Sequence, residues 1–535
     1  MTNQKPPGQP NEALDSTARM VHALDNSLAF GHSVDSLRLI ETHISWVILT
    51  GDYAYKIKKP VNFGFLDFST LDKRHHFCHE ELRLNRRFAP RIYLDVVEIR
   101  GTLDAPRLHG SGEVIDYAVK MAEFSQQCLL SHHAAERTLT SSMVDAIADR
   151  VTQLHASGDV ATDDSKYGSA PSVQHWSEEN MEHLAATVPD SLKPPAFVRL
   201  QTWYRDNAAL LDQVDQRKAD GFVRECHGDL HLGNMALIDG EVMPFDCIEF
   251  NPELRWIDTI SEAAFVAMDL QARGYPGYGW RFINHYLEDS VDYEAIRLLR
   301  YYVIYRALVR AKVEALQVDA AQKPSAQAFS TAVAYLNLAD SWTTRRRVGI
   351  IIMHGLSGSG KSTVATQLVE ALGTIRLRSD VVRKQLFNLR PDADSGSATD
   401  QGIYSAESTE KTYRRLQQLT EMITAAHFCV IVDATFLDEA RRRQFLQLQT
   451  GLRCARIIVN CEAPEATLRK RILERKNDPS EANLAVLERQ IRTRQAISAE
   501  EREMAGVVNI GPDSLSAAQV DEIEKLLAIG QQAYP

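Results

Sequence analysis

The nine residues Gly355-Leu356-Ser357-Gly358-Ser359-Gly360-Lys361-Ser362-Thr363 constrain this chain more than any others, because they satisfy the pattern GxxxxGK[ST]. They follow an apolar run, Val348–His354, that reads as a strand, and they precede a helical pattern, Thr363–Leu372. Glycines let the backbone curl until its N–H groups face one anion, and the helix N-terminus adds positive potential there. In such a loop Lys361 neutralises the β- and γ-phosphates of a nucleotide and the Ser362 hydroxyl ligates Mg²⁺. The expected binding set is therefore Gly355, Ser357, Gly358, Ser359, Gly360, Lys361, Ser362 and Thr363.

The residues that follow narrow the chemistry. A second apolar run, Cys429–Val432, ends in Asp433, placed to serve magnesium and water. No NKxD guanine signature follows it. Arg378-Ser379-Asp380-Val381-Val382-Arg383 falls where the second strand of a parallel sheet should end. A carboxylate there can take the proton of an attacking hydroxyl, and Arg383 can hold an anionic substrate. The plainer alternative makes Asp380 the N-cap of a helix Val381–Leu386. Farther on, Arg471 and Arg475 stand four apart on one helical face, which can close over phosphates as a lid or simply be solvated.

The segments GLSGSGKST, RSDVVR, VDATFLDEARR and LRKRILERKNDPSEA together resemble P-loop kinases of the zeta toxin, polynucleotide kinase and gluconate or adenylylsulfate kinase group, over nearly all of residues 345–535. The resemblance implies that Asp380 activates the acceptor hydroxyl and that Arg383, Arg471 and Arg475 contact substrate and transferred charge, with Arg469 an alternative lid arginine.

The first half carries a second pattern. His227-Gly228-Asp229-Leu230-His231-Leu232-Gly233-Asn234 is followed by Met235–Ile238, a turn at Asp239-Gly240, and Met243-Pro244-Phe245-Asp246. Two acids and an asparagine spaced by a hairpin can surround Mg·ATP and a hydroxyl. In that arrangement Asp229 takes the proton, while Asn234 and Asp246 ligate the metal. This segment resembles the aminoglycoside phosphotransferase and choline kinase branch of the protein-kinase-like fold, over roughly residues 35–310. The resemblance implies an ATP-anchoring lysine on an earlier strand and a glutamate on the next helix. Tyr53–Lys58 reads as that strand, joined to Ser45–Thr50 by the Gly51-Asp52 turn. Lys56 and Lys58 share a face, so spacing does not choose between them; analogy favours Lys56, and Glu81 over Glu80 on the helix His75–Phe88. No GxGxxG loop precedes Lys56; a turn around Thr42-His43 stands in its place.

Composition excludes several classes. Of the chain's 60 basic and 71 acidic residues, 27 and 24 lie from Arg345 onward, leaving 33 against 47 in the first part. So acidic a first part is a poor footprint for general nucleic-acid binding. No apolar run approaches the ~18–20 residues of a membrane span. The N-terminus lacks a signal-peptide core, and the seven scattered cysteines form no CxxC pair, so a cytoplasmic location with reduced thiols is expected.

The expected architecture is multidomain α/β. A loose tail (1–18) precedes an N-terminal bilobal protein-kinase-like α+β domain (19–340). A P-loop NTPase domain of three-layer α/β form with a parallel sheet (341–535) follows. Both resemblances together match bacterial fused aminoglycoside-phosphotransferase-like and ATP-binding kinase proteins. They imply two ATP- and Mg²⁺-dependent phosphotransferase sites acting on hydroxyls of small-molecule acceptors, with no membrane partner. A nucleotide or polynucleotide remains open as acceptor for the second half. The alternative is one active P-loop kinase regulated by a nucleotide-binding pseudokinase-like first half. Acidic residues Glu249, Glu253, Asp258 and Glu262 would suit a cationic acceptor or serve the fold.

Overall fold

The alternating run Ser45–Leu49 (β2) and the run Tyr53–Lys58 (β3) pair antiparallel from Leu49↔Ala54 to Ser45↔Lys58, with Gly51 at φ +99° making the turn between them. They belong to a computed structural model that describes residues 12–64, 66–318, 325–344, 347–397, 401–474, 480–512 and 515–532. β1 (Arg38–Glu41), β4 (Tyr93–Thr102), β5 (Ala105–Arg107) and β6 (Val114–Ala122) complete an antiparallel sheet in the order β1-β2-β3-β6-β4-β5. The helix Leu71–Phe88, capped by the Thr70 hydroxyl, follows β3 and packs Cys78 and Leu82 against Tyr93 and Val119 of the sheet. That order, with its helix after β3, is the amino-terminal lobe of a protein-kinase-like fold.

Residues 12–18, expected as tail, instead open the helix Glu12–Ala23. Its face of Met20 and Val21, with Leu24 just beyond, is buried against Trp46, Ile48 and Ile57 of the sheet, which is why the segment is ordered. In the same unit, β7 (Val223–Glu225) leads into the His227 segment, and β8 (Met235–Ile238) and β9 (Glu241–Pro244) form the expected hairpin. β10 (Trp256–Asp258) returns to pair with β7.

The second half centres on a parallel sheet: β11 (Gly349–His354), β12 (Ile375–Arg378), β13 (Val430–Asp433), β14 (Ala455–Cys461) and β15 (Gly506–Ile510), in the order β12-β13-β11-β14-β15. All six residues of β11 are buried, as a strand covered on both faces requires. The order, with the glycine loop after the central strand, is that of a P-loop kinase. The loop helix spans Lys361–Leu372 and ends on Gly373 in the left-handed conformation.

Contacts divide the chain into two compact units, Met1–Leu139 with Ser157–Gly168 and Lys218–Glu262, and Thr140–Ala156 with Ser169–Arg217 and Ala263–Pro535. A boundary near residue 340, expected from the sequence, falls inside the second unit. There the helices Pro276–Ser290 and Ser330–Thr343 share a core with the parallel sheet: Trp280 stacks on Trp342 at 5.3 Å and meets Phe428 edge-on at 6.1 Å. Arg300, on the helix Ile296–Leu316, donates to the carbonyls of Trp342 (3.3 Å) and His427 (3.4 Å) and lies over the Phe428 ring. The helices Ala196–Asp206 and Leu211–Ala219 are separated by a short turn at Ala208–Leu210. All seven cysteines are free thiols, five of them buried. Among the described residues, no helix is long and apolar enough to cross a membrane.

Candidate active sites

In the first unit the strand β3 turns two lysines toward one glutamate. Lys56 Nζ lies 2.8 Å from Glu81 Oε1 and also bonds Asp246; Lys58 Nζ lies 2.6 Å from Glu81 Oε2 and also bonds Glu249. Glu81 is wholly buried. Burial alone would raise its carboxyl, but the two ammonium groups outweigh that and hold it at about 2. Burial likewise opposes the charge on Lys56, yet Asp246 and Glu81 keep its pKa well above the ordinary value. Glu80, the alternative to Glu81, pairs instead with Arg83 at 3.0 Å and stands 3.8 Å from Arg255. The two lysines therefore differ by partner, not by face: Lys56 alone reaches Asp246.

The His227 segment is built from the backbone outward. Gly228 takes φ +89°, and a Cβ there would sit 2.7 Å from the Leu254 carbonyl. The N–H groups of His227 and Gly228 donate to Glu262 at 3.1 and 2.6 Å, and His227 Nε2 bonds the Phe245 carbonyl at 2.8 Å. The turn Leu232–Asn234 then brings Asn234 Nδ2 to 3.0 Å from Asp229 Oδ2. Because the hairpin register sets Met235 opposite Pro244, Phe245 N–H donates to Asn234 O and Asp246 follows next. Asp246 itself takes φ +63°, its N–H held by the Tyr93 hydroxyl at 3.0 Å. Asp229, Asn234, Asp246 and Lys56 are thus linked through one chain of bonds. Asn234 commits Nδ2 to Asp229, so Oδ1 is the atom it can offer a cation, alongside the Asp246 carboxylate. Hard oxygen donors of this kind fit Mg²⁺.

The four acidic residues considered for a cationic acceptor already have partners. Glu249 pairs with Lys58, Glu253 with Lys166, Asp258 accepts from Ile260 N–H at 3.0 Å, and Glu262 holds the His227 turn. Each is thus engaged within the chain. Between β1 and β2, where nucleotide-binding kinases carry a glycine-rich loop, Thr42-His43-Ile44 makes a tight turn with Thr42 Oγ1 bonded to Ser45.

In the second unit the carboxyl ends of β11, β12 and β13 open on a cavity of about 360 Å³. Ser357, Gly358, Gly360, Lys361, Ser362 and Thr363 line one wall; Asp380, Asp433 and Arg471 line the others. Gly355 adopts φ +144° and would place a Cβ 2.4 Å from the Cys461 carbonyl; Gly360 adopts φ +94° at the helix start. Lys361 Nζ donates to Leu356 O at 2.8 Å. Ser359 Oγ and Asp433 Oδ2 are buried polar atoms without a hydrogen-bond partner among the described residues. Asp433 lines the cavity with Lys361 and Ser362, and its orphaned carboxylate oxygen calls for a cation there, so the residues present fit Mg·ATP.

Asp380 lies inside the first turn of the helix Ser379–Gln385, whose N-cap is Arg378, so it is not the helix cap. Loss of solvent pushes its carboxyl pKa upward, against the pull of Arg383 and Arg378, and the neighbouring Asp433 adds to the rise. Arg471 reaches the loop, donating to Gly358 O at 3.3 Å and to Pro512 O at 2.8 Å. Its helix, Glu465–Glu474, approaches so closely that a Cβ on Gly358 would meet Leu468 O at 2.9 Å. Arg475 lies outside the described residues. Arg469, the alternative lid arginine, turns outward to Glu465 and Glu488.

Arg383 is not among the residues lining the cavity; its Nη1 donates to Ile403 O at 2.9 Å and Thr409 Oγ1 at 3.1 Å, and its guanidinium lies over the Tyr404 ring. Arg378 lines the cavity instead, a residue that pattern reasoning passed over. Its position, last on the strand before Ser379-Asp380, was the available signal. Gln490 was also missed: its Oε1 accepts from the Ser357 N–H at 2.8 Å, and no local pattern announces a contact across 133 residues.

A family described as an AAA domain matches residues 350–497. An uncharacterized protein of Mycobacterium tuberculosis (strain H37Rv) is 28% identical over 447 residues, covering 83% of this chain and 88% of its own. Among solved structures, a gluconokinase from Sinorhizobium meliloti is 22% identical with a TM-score of 0.25, covering 35% of this chain and 97% of its own. The amicoumacin kinase hAmiN in complex with AMP-PNP, Ca²⁺ and Ami is 12% identical with a TM-score of 0.40, covering 61% of this chain and 95% of its own.

Proposed function

We propose that this chain is a two-site ATP- and Mg²⁺-dependent phosphotransferase, each site passing the γ-phosphoryl group to a hydroxyl of a small-molecule acceptor. The observation that carries the reading is the second cavity, where Lys361, Ser362, Asp380 and Asp433 line one space of about 360 Å³. Bound magnesium would neutralise charge on the β- and γ-phosphates. Ser362 and Asp433 hold it there, Lys361 and the loop N–H groups orient the phosphates, and Asp380 accepts the acceptor's proton. Its raised pKa makes the carboxylate a stronger base than an ordinary aspartate for the proton it must take. In the first site Asp229 plays that part, oriented by Asn234, while Lys56 is held for the nucleotide by Glu81. In the P-loop site Arg471 meets transferred charge, and Arg475 is assigned the same role. Free thiols support a cytoplasmic setting.

The test is phosphoryl transfer from labelled ATP into a pool of cell metabolites. Lys361→Ala should abolish one set of labelled products and Asp229→Asn the other. If both variants keep every product, the reading fails.

One observation favours a second reading, in which the first half binds nucleotide and regulates the P-loop kinase. The Thr42-His43-Ile44 turn contains no glycine and offers no cradle for phosphates. Nucleotide binding that depends on Lys56, with no product lost in Asp229→Asn, would select it.

A further inference from the structure

His75 and His79 stand one turn apart on the helix Leu71–Phe88, a spacing that puts both imidazoles on one face. Their Nε2 atoms lie 3.1 Å from each other, with the rings at 88° and their centroids 4.7 Å apart. The His75 ring also packs on Tyr117 of β6, 4.3 Å between centroids, which fixes its direction. Both imidazoles border a cavity of about 390 Å³ whose other walls include Tyr117, Glu98 of β4 and His109. Glu98 is the register partner of Tyr117 and accepts from Arg100 Nε at 2.8 Å. The whole arrangement lies within the first compact unit and shares no residue with the Lys56–Glu81–Asp246 cluster.

Two imidazole nitrogens this close share one proton at most, in an N–H···N bond that needs a lone pair on one ring. A divalent ion engages the lone pairs of both rings at once. Zinc–nitrogen bonds of about 2.0–2.1 Å at a tetrahedral angle set two nitrogen ligands about 3.3 Å apart, close to the separation found between these rings. Imidazole suits zinc, copper and nickel, whereas Mg²⁺ prefers the oxygen donors of the two phosphate sites. We propose that His75 and His79 form a transition-metal site, chelating Zn²⁺ through both Nε2 atoms, with water in the cavity completing the tetrahedron. The proposal does not depend on either site transferring phosphate.

The experiment titrates Zn²⁺ into the full chain by calorimetry, with Mg²⁺ in large excess to compete at the oxygen-lined sites. Thiols and other histidines remain the same in every variant, so the difference between proteins isolates this pair. One equivalent of zinc bound by the wild type should bind at least about tenfold more weakly in His75→Asn and in His79→Asn. Loss of a ligand costs no less than loss of an outer-shell partner, which costs about 10–100-fold. Both side chains are exposed, so neither substitution should disturb the fold, and either variant decides the matter. His76→Asn alters the exposed neighbour that does not border the cavity and should bind zinc as the wild type does. Equal zinc affinity in the wild type and both variants, an equal loss in His76→Asn, or no zinc bound by the wild type would overturn the proposal. Each of these results would leave the phosphotransferase reading untouched.

Discussion

Lys58 and Lys56 both spend a bond on Glu81, and that sharing makes the glutamate hard to replace. Glu81→Gln would leave each buried ammonium group one carboxylate, Asp246 for Lys56 and Glu249 for Lys58, and would weaken two charge-assisted hydrogen bonds, a change that typically costs about 1.5–3 kcal/mol. We expect a large fall in melting temperature together with loss of first-site nucleotide binding; thermal melts with and without Mg·ATP check both. A wild-type melt would show that Glu249 and Asp246 suffice. A second, half-buried charge sits on the Pro276–Ser290 helix. Burial opposes protonation of His285, but the hydrogen bonds it donates to the carboxylates of Asp145, Asp149 and Asp289 override it and raise its pKa to about 12. The folded value is the higher one, so its stabilisation is complete below the ordinary 6.5 and is given back as pH climbs toward 12. The gap in melting temperature between the wild type and His285→Gln should therefore be widest at or below pH 6.5 and narrow steadily above it. A gap that widens with pH would contradict the charged form. Protonated on both nitrogens, His285 has no lone pair for a metal, although Asp149 and Asp289 stand close enough to complete a ligand set.

At the scale of elements, the glycine loop is the part most tightly specified. Gly355→Ala would force a Cβ against the Cys461 carbonyl from a backbone angle that only glycine takes readily. We expect about 1–3 kcal/mol of destabilisation and at least a partial loss of Mg·ATP binding, read by melting and calorimetry. Unaltered binding would show that the loop can relax. Elements set by short-range pattern were legible in the sequence: the β2–β3 hairpin with its Gly51 turn, the β8–β9 hairpin, β11 with the loop helix, and the strand ending in Asp433. The helix Glu12–Ala23 was not, since its polar N-terminal neighbours hide a face that only the β2–β3–β6 sheet reveals. Arg383 shows the same limit. Its distance from Asp380 in sequence suggested a shared duty, but the helix turns it to Ile403 and Thr409, and Arg378 reaches the cavity in its stead.

For the whole molecule, the consequence lies at the boundary near residue 340. Residues 345–535 expressed alone would lose Asn284 from the β12 edge, Glu288 from Arg376, and Trp280, with Trp342 stacked on it, from Phe428. An uncovered edge strand beside an apolar face invites self-association. The isolated segment should elute as aggregates or melt well below the full chain in size-exclusion and thermal experiments; a stable monomer with the full chain's melting temperature would refute this. Sequence by itself determined the two motifs and the strands and turns that carry them, because glycine conformation and alternation act within a few residues. Tertiary structure decided which lysine meets Asp246, which arginine enters the second cavity, and which helices close its sheet. Those outcomes depend on charges and apolar faces brought together across tens to hundreds of residues, where no local spacing records the pairing.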